Sequence, residues 1–187
     1  MGTLIAGMAL WAMVHFFPVI APARRARLSE RLGQRYRGLF SLLIIISVVL
    51  IVIGWRATVP TTVYAPQIWG RHLTYLLVLI AFVLFAAAKT SNNIRRLIRH
   101  PQLTAVLVWA IGHLFANGDI RSLILFGGMG LWAIAEMILL NRRDGAWQKL
   151  PAVPFSKDLA TLAIGIVVMV VFMFLHPFFT GMVVIPH

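Results

Sequence analysis

The sequence predicts an all-α integral membrane bundle of about six transmembrane helices, and three observations predict it. Of the 187 residues, 60% are hydrophobic and only 12% charged, where soluble globular domains run near roughly 45–50% and about 25%. Six apolar runs are long enough, or nearly so, to cross a hydrocarbon core of about 30 Å. The 17 Lys and Arg are not scattered: six lie between Arg24 and Arg37, four between Lys89 and Arg99, four between Arg142 and Lys157, and only Arg56, Arg71 and Arg121 fall in the gaps. Alternate loops are therefore basic, which is the positive-inside pattern. It places both termini, His187 included, on the non-cytoplasmic side. For a bacterial protein the membrane is the inner, cytoplasmic one, and the chain reads as one transmembrane domain over residues 1–187.

The first helix runs from about Thr3 to Ile20 and stops at Pro22. A secretory signal is excluded as its identity, because no Lys or Arg precedes the apolar run and Arg24-Arg25 follows it at once. The second helix spans about Leu39 to Trp55 and the third Trp69 to Lys89. The fourth is short, Gln102 to Asn117, and ends in the turn Asn117-Gly118-Asp119. The fifth runs from Ile120 to Leu140. The sixth covers Asp158 to Phe179 after the proline-bounded Pro151–Pro154. Trp55, Tyr64 and Trp69 gather near the outer interface, Tyr36 and Trp147 near the inner one, as aromatic belts do.

Composition also removes functions. The net charge of +12 resides in juxtamembrane loops, which attract anionic lipid headgroups. The aromatic residues sit in the apolar runs and not among the basic ones, so no nucleic-acid partner is expected. With no cysteine, thiolate chemistry, iron–sulfur clusters and disulfides are excluded. Asp119, Asp144 and Asp158 lie in or beside loops, and Glu136 alone lies within a helix, expected to pair with a loop arginine. No carboxylate pair exists for acid–base catalysis or a hard metal. Gly127-Gly128-Met129-Gly130 sits in an apolar helix, where glycines allow close helix contact. No catalytic residue can be named.

Histidine remains, and an ionisable group inside a span is a functional candidate. At about 1.5 Å per residue, His15 lies roughly 18 Å from the outer face and His113 roughly 14 Å from it, a match within about 5 Å. Two imidazoles at one depth are what six-coordinate haem iron requires. A local pattern repeats around them: Trp11-Ala12-Met13-Val14-His15 and Trp109-Ala110-Ile111-Gly112-His113. Trp at i−4 and Ala at i−3 share a helical face with the histidine, and Gly112 adds a small neighbour. A coincidental repeat, with each histidine hydrogen-bonded to a neighbouring helix, is the competing reading. His72 and His176 form a second depth match near the outer interface, a place for a second haem or simply for tolerated interfacial histidines. Arg71 beside His72 can pair with a propionate or reach to headgroups. His100 reads as a boundary residue.

Trp69-Gly70-Arg71-His72, Arg99-His100-Pro101-Gln102 and the run from Trp109 through Leu114-Phe115-Ala116-Asn117-Gly118-Asp119, with Leu125-Phe126-Gly127 after it, resemble the NnrU family. The resemblance covers most of the chain. It implies a role in nitrite and nitric oxide metabolism of denitrifying bacteria. The family is also similar to the haem-containing zeta-carotene isomerase, which implies one b-type haem held by His15 and His113. That isomerase carries a cysteine three residues before the later histidine, an alternative iron ligand. Here Ala110 stands in its place, which weakens the implied isomerase activity. The resemblance thus implies a haem b protein with a redox, gas-responsive or assembly role, diatomic gases being possible ligands. The alternatives are a cis–trans isomerase of a carotenoid or other polyene, and a haem-free transporter, which should show a polar cavity and paired discontinuous helices.

Overall fold

The computed structural model describes residues 1–184; His187, expected on the non-cytoplasmic side, lies outside them. Among the described residues the chain is all-helical, with one isolated antiparallel bridge between Thr62 and Asp119. The helices are α1 (Gly2–Ile20), α2 (Pro22–Leu32), α3 (Gln34–Ala57), α4 (Gly70–Lys89), α5 (Ile94–Leu97), α6 (Pro101–Ala116), α7 (Ile120–Asp144) and α8 (Phe155–Thr180). Five of them, α1, α3, α4, α7 and α8, are long and apolar enough to cross a membrane, and α6 is a shorter apolar helix of 16 residues. The chain is a multi-pass membrane protein by that measure.

Three elements differ from the sequence reading, the short α5 among them. The basic stretch after α1 is α2, with Pro22 in its first turn and no buried residue. Proline suits a helix start because its missing N–H is unpaired there anyway, and the Ala, Arg, Leu and Glu that follow are good helix formers. Gly33, at φ +54°, makes the joint to α3, which starts at Gln34 and not near Leu39. The third difference lies in α7, where Leu123–Gly127 is π-helical. Hydrophobic periodicity does not show such a turn, and π turns often mark functional sites.

α1 packs along α3, α4 along both α6 and α8, and α6 along α7. In lipid, such contacts rest on close packing and hydrogen bonds and not on water exclusion. A Cβ on Gly7 would stand 2.8 Å from the Ile51 nitrogen and 2.9 Å from the Ser47 carbonyl, so this seam needs glycine. On the α4–α6 seam the buried Thr74 hydroxyl lies 2.7 Å from the Gly112 carbonyl. Between α4 and α5, Asn93 donates its backbone N–H and its side-chain Nδ2 to the Asp158 carboxylate at 2.7 and 2.6 Å, anchoring the start of α8. His100 is the N-cap residue of α6 and meets Asn141 at 2.9 Å, a boundary role as expected.

Glu136 does not pair with a loop arginine. It is 6% exposed, and its Oε2 has no hydrogen-bond partner among the described residues. Arg143 instead bonds its chain neighbour Asp144 at 2.7 Å, which needs no reach into the bundle.

The end of the bundle where α6 meets α7 is closed by a polar cap. Tyr64 donates to the carbonyls of Leu114 and Asn117. Its burial, with Asp119 nearby, pushes the phenol above its ordinary pKa, so it remains a donor at neutral pH. Arg121 pairs with Asp119 at 3.4 Å, lies 4.3 Å over the Trp55 ring and donates to the Trp55 carbonyl at 3.3 Å.

Candidate functional site

A partly open cavity of about 280 Å³ lies toward the end of the bundle that carries Asn117 and Thr180, walled by α3, α4, α6, α7 and α8. That is near the lower bound of ligand pockets, roughly 300–1,000 Å³. Aromatic side chains make much of its wall, among them Trp55, Trp109, Phe126 and Phe172, and Arg71, Tyr75, His113 and His176 supply polar groups.

His113 is placed by three elements. On α6 its Nδ1 lies 2.9 Å from the Trp109 carbonyl, which leaves Nε2 as the free nitrogen of a side chain lining the cavity. From α7, Phe126 stacks on the ring at 4.5 Å and 25°. Phe126 belongs to the π-helical stretch, so the irregular turn sets the aromatic against the imidazole. From α4, Thr74 holds the neighbouring Gly112 carbonyl, and a Cβ on Gly112 would be 3.0 Å from Leu77 Cβ.

His15 has the same local bond, Nδ1 to the Trp11 carbonyl at 2.9 Å, in other company. Its ring packs on Trp11 at 4.3 Å, Trp132 at 5.0 Å and Phe40 at 5.9 Å. It does not line the cavity.

The two histidines meet different rings of α7. Leu4 of α1 meets α3 at Gly54, beside Trp55, whose ring lies against Phe126. His15 is eleven residues beyond Leu4, or about 16 Å further along α1. On α7, the rings that touch the two histidines, Phe126 and Trp132, are six residues apart, or about 9 Å. α6 ends at Ala116, one residue before the expected Asn117. His113 is about 5 Å from the C-terminal end of its helix.

The other expected site residues divide accordingly. Arg71, Trp109 and His113 share the cavity. Trp11 and Ala12 pack with Trp132 and Met129 on the His15 side. Ala110, 1% exposed, packs behind the cavity wall against Trp55 and Phe126. His72 is exposed and outside the cavity lining, so the structure does not join it to His176 across this cavity.

His176 instead lines the same cavity as His113. The sequence showed its signal without its meaning: Met169, Phe172, Met173 and His176 lie at helical spacing on one face of α8, and all four reach the cavity. Among the described residues, no three or more His, Cys, Asp or Glu converge on one point.

The NnrU protein family profile matches residues 3–184, nearly the whole chain, and the chain belongs to that family. No curated protein and no solved structure gives a significant match.

Proposed function

From that membership and the cavity, we propose that the chain is a haem b-binding protein of the bacterial inner membrane, with a redox or gas-responsive role in nitric oxide and nitrite metabolism. The observation that carries the proposal is His113: its Nδ1–H is fixed on a backbone carbonyl, its Nε2 is free, and the side chain lines an aromatic cavity. Histidines that bind metals are held in this way by their second nitrogen.

When bound, haem b supplies one-electron redox chemistry and a binding position for diatomic gases. His113 would hold the iron. Arg71 lines the cavity and is exposed, which suits a charge partner for a propionate. Trp55, Trp109 and Phe126 give the dry, apolar wall that sets potential and limits water access. Arg121 and Tyr64 close the outer end. The charge pattern supports an orientation with the basic loops cytoplasmic and the cavity in the outer half.

A second reading, polyene cis–trans isomerisation, is favoured by one observation. The cavity is mainly apolar and partly open beside the lipid-facing α8, so a long apolar substrate has a way in. Ala110 offers no thiol and is packed behind the wall, so that activity would have to proceed without the relative's cysteine.

The test is an absorption spectrum of the purified protein, oxidised and reduced, with haem quantified per chain. The reading expects a b-type spectrum near one haem per chain, altered by nitric oxide. Protein that is folded, supplied with haem during expression, and still colourless would refute it.

A further inference from the structure

We propose that His176 is the second ligand facing His113 across the cavity, a role that rests on the haem reading above. Both side chains line one cavity, whereas His15 lies among Trp11, Phe40 and Trp132 and does not.

The chain around His176 is built to aim it. Pro177, the next residue, lies inside α8 and cannot donate to the preceding turn, so the helix is weakened there. Gly181 then adopts the left-handed conformation, φ +74° and ψ 7°, and turns the chain back. That reversal brings the Met182 carbonyl to 3.0 Å from His176 Nδ1, and Thr180 Oγ1 to 3.1 Å. Nδ1–H thus has a backbone acceptor, and Nε2 is the free nitrogen, the same arrangement as in His113.

The returning segment is pinned over the cavity by the rest of the bundle. Trp55 Nε1 donates to the Thr180 carbonyl at 3.3 Å, Arg56 to the Phe178 carbonyl at 3.2 Å and Tyr75 to the Val184 carbonyl at 2.9 Å. Donors from α3 and α4 therefore hold the turn that holds the imidazole. A histidine serving only as a helix cap would not need to share a cavity with a second histidine oriented in the same way.

The experiment compares electron paramagnetic resonance and absorption spectra of the wild type, His176→Ala, His15→Ala and Gly181→Ala, purified in detergent with haem present. The wild type should be low-spin and six-coordinate. His176→Ala should keep most of its haem through His113, become high-spin, bind carbon monoxide at least tenfold faster when reduced, and return to low-spin on adding free imidazole. His15→Ala should match the wild type. Gly181→Ala, strained at a left-handed position, should give a high-spin fraction that imidazole removes, a readout that does not require deleting the ligand. An unchanged low-spin His176→Ala, or a high-spin His15→Ala, would overturn the assignment while leaving the haem reading intact. A wild type that takes up no haem would overturn that reading, and this assignment with it.

Discussion

Two stretches of the chain carry the same pattern, and the fold uses them differently. Trp11-Ala12-Met13-Val14-His15 and Trp109-Ala110-Ile111-Gly112-His113 both bond the histidine Nδ1 to the carbonyl of the tryptophan four residues back, at 2.9 Å in each. Around His113 the neighbouring helices leave a cavity. Around His15 they set Trp132 and Phe40 against the half-buried ring, outside the lining of that cavity. The i−4 bond orients an imidazole, but only tertiary packing decides whether its free nitrogen meets space. A repeated motif is thus evidence for orientation and not for a shared ligand.

The largest effect should come from overpacking the His113 side. The Phe115 carbonyl occupies the place where a Cβ on Gly70 would stand, so Gly70→Leu forces α4 and α6 apart at the level of the cavity. Overpacking of this kind costs about 1–3 kcal/mol or more. Thermal unfolding in detergent should show a clear drop, with bound haem lost in the surviving protein. Gly7→Leu, on the α1–α3 seam, should destabilise by a similar amount but leave the haem content of the folded fraction unaltered. If the two variants lose haem equally, the regions are not independent.

A smaller effect is expected from Thr74→Val. It removes the hydroxyl that lies 2.7 Å from the Gly112 carbonyl and keeps the side chain's shape. Interhelical hydrogen bonds in membranes contribute about 0.6 kcal/mol on average, so stability should fall by less than about 1 kcal/mol. A displaced His113 should appear as a shifted haem band. The corresponding loss on the other side, Ser47→Ala, removes a hydroxyl bonded only within its own helix, to Ile44. It should not move the band.

The smallest effect, and opposite in sign, is expected at Glu136. Its buried Oε2 has no partner, so Glu136→Leu removes an unsatisfied polar group and should be neutral or slightly stabilising. A loss of stability, or of the haem spectrum, would show that Glu136 and its α7 neighbour Trp132 do more than pack.

Much of the fold was legible because lipid demands continuous apolar helices, and the runs from Thr3, Leu39, Trp69, Gln102, Ile120 and Asp158 each became a helix with ends within a few residues. The start of α3 was missed because Gly33 and the residues before Leu39 are polar, so they carry no hydrophobic signal even though they form helices. The π turn at Leu123–Gly127 was invisible because it changes hydrogen bonding without changing composition. At the site, His113, Trp109 and Arg71 were found from polarity inside or beside apolar runs. His176 is named by the sequence too, but paired with His72, because depth along a helix does not show which side chains line one cavity. His176 was seen as a histidine near an interface; only the reversal at Gly181 shows that it faces inward.

The central claim is that His113, and not His15, presents its free nitrogen to a cofactor. Its most direct test is the haem content of His113→Ala and His15→Ala, purified side by side and each confirmed as folded by elution and helix content. The account predicts that His113→Ala loses the haem band or retains it only weakly, while His15→Ala binds as the wild type does. Full haem binding by His113→Ala together with its loss in His15→Ala would contradict the claim.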